Sequence, residues 1–222
     1  MPPVKICGIT RAEDALLAAQ LGAAWVGFVF WPHSARWVEP AEAASILAAM
    51  PPHVAGVGVF VDQAIEDVDA IAAEVGLGAV QLHGDESAAV CAASRRRVIK
   101  AVRLSTGSTA EAVDTVWSGA TLLLDAFDPE QRGGTGRQVD WTLASRIARR
   151  RRTILSGGLR ADNVGEAIRR VAPYGLDVSS GVESRPGIKD AGRMRAFFAA
   201  VEAAAGATGV PTRAATTVGA AD

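Results

Sequence analysis

The chain is 222 residues long and 49% hydrophobic, with 23 Lys+Arg against 24 Asp+Glu for a formal net charge of −1. That apolar share fills a sizeable core and excludes a chain disordered throughout, and a near-neutral balance whose densest basic run is Arg149 to Arg152 argues against a nucleic-acid partner. No uninterrupted apolar stretch reaches the length of a bilayer span and the first residues lack the apolar core of a secretory signal, so the expectation is a cytoplasmic protein with no membrane partner.

Apolar runs of strand length recur along the chain: Val4–Ile9, Trp25–Phe30, Val54–Phe60, Ala79–His83, Val98–Leu104, Thr121–Phe127, Thr153–Ser156 and Leu176–Ser179. They start roughly 25 residues apart, room for one strand, one crossover helix and two loops. The intervening Arg11–Leu21, Pro40–Met50, Ala64–Val75 and Asp162–Val171 carry apolar residues at helical spacing. Alternating β and α elements demand a mostly parallel sheet. Eight near-equal units predict a single (β/α)8 TIM barrel of parallel strands over residues 1–205, with an open doubly wound sheet as the alternative. From Gly206 to Asp222 the periodicity is lost, which reads as a mobile, disordered tail. Cys7 and Cys91 have no CxxC neighbour and are expected to stay reduced, Cys91 as a packing residue of the helical stretch Glu86–Ser94. The scattered histidines His33, His53 and His83 form no metal constellation.

In a barrel of this kind the chemistry sits where strands end, and these ends are polar. Cys7-Gly8 closes the first run, His33 and Arg36 follow the second, Gln81-Leu82-His83-Gly84 closes the fourth, Arg103 the fifth and Asp125 the sixth. Ser156-Gly157-Gly158 and Ser179-Ser180-Gly181-Val182-Glu183 close the last two runs. Glycines there let backbone amides approach a ligand, and a Ser-Ser-Gly turn adds hydroxyls, so the pair predicts a phosphate cradle; Gly157-Gly158 alone reads more often as a tight turn. Cys7 and Asp125 are the candidate acid/base pair. The plainer readings are a buried core thiol for Cys7 and a turn or helix-capping aspartate for Asp125. Arg36 by itself reads as a loop arginine, and His83 either lines the pocket or is satisfied by a backbone carbonyl. Lys5, two residues before Cys7, should point into the barrel with it, and an inward lysine needs an anion. Closure puts Asp177 of the eighth strand beside it, so Lys5 is expected to pair with Asp177 or Asp125. The glycines of Asp128–Arg137 suit a loop able to close over substrate.

Six motifs in order, Lys5-Ile6-Cys7-Gly8-Ile9-Thr10, Gln81-Leu82-His83-Gly84-Asp85-Glu86, Leu124-Asp125-Ala126, Gly133-Gly134-Thr135-Gly136, Ser156-Gly157-Gly158-Leu159 and Asp177-Val178-Ser179-Ser180-Gly181-Val182-Glu183, resemble phosphoribosylanthranilate isomerase from about Val4 to Val201. The resemblance implies a (β/α)8 barrel that uses no cofactor or metal. The reaction it implies is the Amadori rearrangement of N-(5-phosphoribosyl)anthranilate to 1-(2-carboxyphenylamino)-1-deoxyribulose 5-phosphate, in tryptophan biosynthesis. It places the general base on Cys7, the general acid on Asp125 and the anthranilate-carboxylate contact on Arg36. The implied partner is a small phosphorylated substrate, and the protein is expected as monomer or homodimer. Ala35 and Glu39 depart from the family's usual proline and serine near Arg36. The rivals are a histidine-pathway or dual-substrate aminoaldose isomerase, whose barrels place aspartate where Cys7 stands, and a non-catalytic barrel that binds a sugar phosphate.

Overall fold

The computed structural model describes residues 1–105, 107–116, 119–126 and 140–208. The loop expected over Asp128–Arg137, the Gly133-Gly134-Thr135-Gly136 motif, Phe127 and residues 209–222 of the expected tail lie outside them.

Each of the eight apolar runs becomes a strand: β1 (Val4–Cys7), β2 (Trp25–Val29), β3 (Ala55–Phe60), β4 (Ala79–Leu82), β5 (Arg97–Leu104), β6 (Thr121–Ala126), β7 (Thr153–Leu155) and β8 (Gly175–Val178). Between them run α1 (Ala12–Gln20), α2 (Pro40–Ala48), α3 (Ile65–Val75), α4 (Ala88–Ala93), α5 (Ala110–Val116), α6 (Trp141–Ala148) and α7 (Val164–Val171), with α8 (Ala191–Thr208) last. Neighbouring barrel strands pair in parallel, and β1 pairs with both β2 and β8, so the sheet closes and the open-sheet alternative falls. Helix α8 runs past Ala205 to Thr208, so the start of the expected tail is helical.

Local chemistry sets the boundaries. The first strand stops at Cys7 rather than Ile9 because Gly8 takes a left-handed φ of 75° and both Gly8 and Ile9 amides turn to the Gly27 carbonyl. Helix α4 begins only at Ala88 because Ser87 caps it and the Glu86 side chain is spent on the amides of Asp62 and Gly84. Asp140 caps α6 by accepting from the amides of Thr142 and Leu143. A short antiparallel hairpin, β9 (Glu183–Arg185) and β10 (Ile188–Lys189), follows β8 and was not expected.

Two kinds of core hold the barrel. Outward side chains of the strands, among them Ile6, Phe28, Leu122 and Leu124, pack against the helices, which contribute Phe197 of α8; all are buried. Inside, Val57, Ile99, Ala101, Leu123 and Ile154 form a separate apolar plug. Strand alternation then decides what lies above it: Val59, Asp125 and Ser156 stand two residues beyond Val57, Leu123 and Ile154 and line the mouth. The pore is thus sealed from below and polar at its C-terminal rim. Among the described residues, no helix is long and apolar enough to cross a membrane.

Candidate active site

A cleft opens at the C-terminal ends of the strands, where barrels of this kind place their chemistry. Every candidate residue lines it: Cys7, Arg36, His83, Asp125, Gly157, Gly158, Asp177, Ser179, Ser180 and Gly181. The floor is a buried polar layer. Lys5 Nζ lies 2.9 Å from Asp177 Oδ1 and 2.9 Å from Gln81 Oε1, and Ser156 Oγ donates to Asp177 Oδ2 at 3.2 Å. The inward lysine therefore has its anion, and that anion is Asp177 rather than Asp125. Burial alone would lower the Lys5 pKa, but Asp177 and then Cys7 outweigh it and hold the ammonium above its ordinary range.

Cys7 stands above this layer. A Cβ at Gly27, its partner on β2, would meet Lys5 Nζ at 3.0 Å and Cys7 Sγ at 3.1 Å, so the absent side chain is the space in which ammonium and sulfur face one another. Burial pushes the Cys7 thiol above its ordinary 9.0; the charge of Lys5 draws it down and that of Asp177 pushes it up. Asp125 follows three fully buried leucines, one residue before the end of β6, and is itself 5% exposed. His83 Nε2 lies 3.2 Å from Asp125 Oδ2, and its Nδ1 is 2.7 Å from Gln81 Nε2. The histidine is thus held by a side-chain amide, not by a backbone carbonyl.

Arg36 is not a free loop arginine. Its Nε and Nη2 clamp Glu183 at 2.8 to 3.2 Å, and Glu183 in turn takes Lys189 Nζ at 2.8 Å. Lys189 also donates to the Cys7 carbonyl, which ties the β9–β10 hairpin to the end of β1. Glu183, named in the sequence only as the end of a motif, and Lys189, not singled out at all, received no role from the sequence; Pro186-Gly187, with Gly187 at φ 81°, was the turn signal that could have revealed their hairpin. Although burial would raise Glu183, its bonds to Arg36 and Lys189 hold it below its ordinary 4.5. A group with a depressed folded pKa contributes stability above its unfolded value and loses it as pH falls through the folded one. Wild type should therefore lose stability on acidification below about pH 4.5 more steeply than Glu183→Gln, checked by urea midpoints across that range.

The other side of the cleft is built from backbone. Gly157 and Gly158 adopt φ of 82° and 65°, and Ser180–Val182 form a single 3-10 turn. A Cβ on Gly181 would stand 1.9 Å from the Leu159 carbonyl oxygen, so only glycine lets the β7 and β8 loops close on each other. Ser179 Oγ is buried there without a hydrogen-bond partner among the described residues. This combination of turned amides and a buried hydroxyl suits a phosphate that meets no full positive charge. Gly181→Ala should push these two loops apart and weaken binding of inorganic phosphate by about 10-fold or more, the scale of one good anion contact; calorimetric titration with phosphate checks it.

Among the described residues, no cluster of three or more His, Cys, Asp and Glu side chains is placed to hold a metal ion.

Residues 4–200 match the family model of N-(5'-phosphoribosyl)anthranilate (PRA) isomerase. The chain is similar to the N-(5'-phosphoribosyl)anthranilate isomerase of Pelobacter propionicus, 49% identical over 198 residues that span 89% of this chain and 94% of that one. Among solved structures it is similar to phosphoribosyl anthranilate isomerase of Thermotoga maritima, at 42% identity and a TM-score of 0.83 over 91% of this chain and 100% of that one. Another phosphoribosyl anthranilate isomerase, solved in complex with reduced 1-(o-carboxyphenylamino)-1-deoxyribulose 5-phosphate, is 41% identical with a TM-score of 0.80 over 91% of this chain and 100% of that one. With almost the whole barrel matched by the family model and by relatives of this identity, the chain belongs to the N-(5'-phosphoribosyl)anthranilate isomerase family.

Proposed function

We propose that this barrel carries out the reaction that names its family, the rearrangement of N-(5'-phosphoribosyl)anthranilate to 1-(2-carboxyphenylamino)-1-deoxyribulose 5-phosphate, with Asp125 as general acid and Cys7 as general base. The observation that carries the reading is the meeting, in one cleft, of a thiol backed by a buried ammonium, a carboxyl group closing an apolar strand, and a glycine-built anion cradle.

The cradle made by Gly157, Gly158, Ser179, Ser180 and Gly181 receives the phosphate. Arg36, whose Nε and Nη2 are already held by Glu183, turns its remaining Nη1 to the anthranilate carboxylate. Asp125 protonates the furanose ring oxygen while the anthranilate nitrogen pushes in its lone pair; the C1–O bond breaks and a C1=N iminium forms. Cys7 then takes the proton from C2, and its electron pair runs into C1=C2 as the iminium nitrogen recovers its own. The resulting enolamine becomes the ketone when C1 is protonated and the C2 hydroxyl loses its proton. Lys5 favours the thiolate of Cys7, because its charge opposes the burial that raises the thiol. The same reading makes the protein a cytoplasmic enzyme that acts on one small phosphorylated substrate.

The test is turnover by wild type of two substrates, each supplied fresh: the anthranilate aminoaldose, followed by loss of anthranilate fluorescence, and the histidine-pathway aminoaldose. Conversion of the first alone is expected. Conversion of the second alone would overturn the substrate, and silence on both would leave a sugar-phosphate-binding barrel.

A further inference from the structure

We propose that Gln81 is a positioning residue that holds His83 as the Nε2–H tautomer, so that the ring offers Asp125 a donor and never a lone pair; the catalytic half of this inference rests on Asp125 being the general acid. The argument starts from Lys5. An ammonium group can only donate, and Nζ lies 2.9 Å from one atom of the Gln81 amide. That atom must therefore be the oxygen, which settles the orientation of an amide whose two ends are otherwise interchangeable. The amide NH2 is then the group 2.7 Å from His83 Nδ1. Two donors cannot face each other at that distance, so Nδ1 carries the lone pair and the proton of the neutral ring sits on Nε2.

Burial makes the arrangement binding. Lys5 is fully buried, Gln81 is 1% exposed and His83 8%, so solvent offers the amide and the ring no alternative partners. Nε2 lies 3.2 Å from Asp125 Oδ2 yet off the line of a hydrogen bond, and it has no in-line acceptor among the described residues. A carboxyl that hands its proton to the substrate ring oxygen becomes an anion at that spot. With the Nε2–H tautomer the new charge meets a donor; with the other tautomer it would meet a lone pair. His83 keeps its own proton throughout, and Gln81 acts only through His83.

The experiment is long-range proton–nitrogen NMR of the full chain labelled in its imidazole nitrogens, with the His83 signals identified by their absence in His83→Asn. In wild type, Nδ1 should be unprotonated and Nε2 protonated. Gln81→Glu keeps the size and an oxygen for Lys5 but offers Nδ1 an acceptor, so the ring proton should move to Nδ1. In that variant kcat should fall about 10-fold or more with KM within about threefold, a wrong tautomer being costly to an acid/base site. In the His83→Asn background the same exchange should change kcat less than about threefold, since the route through the ring is gone. A wild-type ring protonated on Nδ1, an unchanged kcat in Gln81→Glu, or the same loss in both backgrounds would each overturn the positioning role. The tautomer is read without turnover, so Asp125→Asn at full activity would overturn the acid assignment separately.

Discussion

Lys5→Met should destabilise the barrel by about 3–5 kcal/mol, the scale for removing one partner of a buried ion pair. In a chain of this size that lowers Tm by about 10 °C. The reason lies in what the substitution leaves behind. Among the described residues, Asp177, 5% exposed, keeps only the Ser156 hydroxyl at 3.2 Å, and Gln81 loses the donor for its carbonyl. Methionine fills much of the space but neutralises nothing, so the cost is electrostatic rather than a cavity. Adding Asp177→Asn should recover part of the loss, because it removes the stranded charge that Lys5→Met creates. The same substitution should also reduce turnover, since the cation that opposes the effect of burial on Cys7 is gone. Urea midpoints of the two variants check the first claim; a Lys5→Met chain within about 1 kcal/mol of wild type would contradict it.

Asp125→Asn should lower kcat by about 100- to 10,000-fold, the contribution expected of a positioned general acid. Asparagine preserves the shape of the side chain at the end of β6 and still offers polar atoms to His83, 3.2 Å away. It has no proton that can be passed to the ring oxygen of the sugar. KM should therefore stay within about threefold, because phosphate and carboxylate contacts lie elsewhere, and single-turnover rates should fall as far as kcat. An equal rise in KM with kcat preserved would mean that Asp125 binds substrate rather than protonating it.

Much of this architecture was readable in the chain. Strands buried on both faces read as continuous apolar runs, which is why Leu122-Leu123-Leu124 marks β6 so plainly. Strand period and closure together place Lys5 beside Asp177, and their register across β1 and β8 follows. The rest depended on distances that periodicity does not carry. Gln81 is an ordinary strand glutamine until Lys5 on one side and His83 on the other decide which way its amide points. Arg36 lies 147 residues from its anchor, Glu183, and that anchor sits on a hairpin whose strands are too short to show an alternating pattern. Lys100 was likewise hidden inside an apolar run; it turns outward to Glu86 at 2.8 Å and to the carbonyl of Gly84, pinning the loop that follows His83.

The most direct test of the central claim is single-turnover conversion of the anthranilate aminoaldose, followed by loss of anthranilate fluorescence, with wild type, Cys7→Ala and Cys7→Asp. Cys7→Ala should be slower by at least about 100-fold while still binding substrate, because the proposed acceptor of the C2 proton is gone. Cys7→Asp should recover part of the rate, a carboxylate at the same strand end being a base that needs no thiol ionisation. Conversion by Cys7→Ala at the wild-type rate would contradict the account.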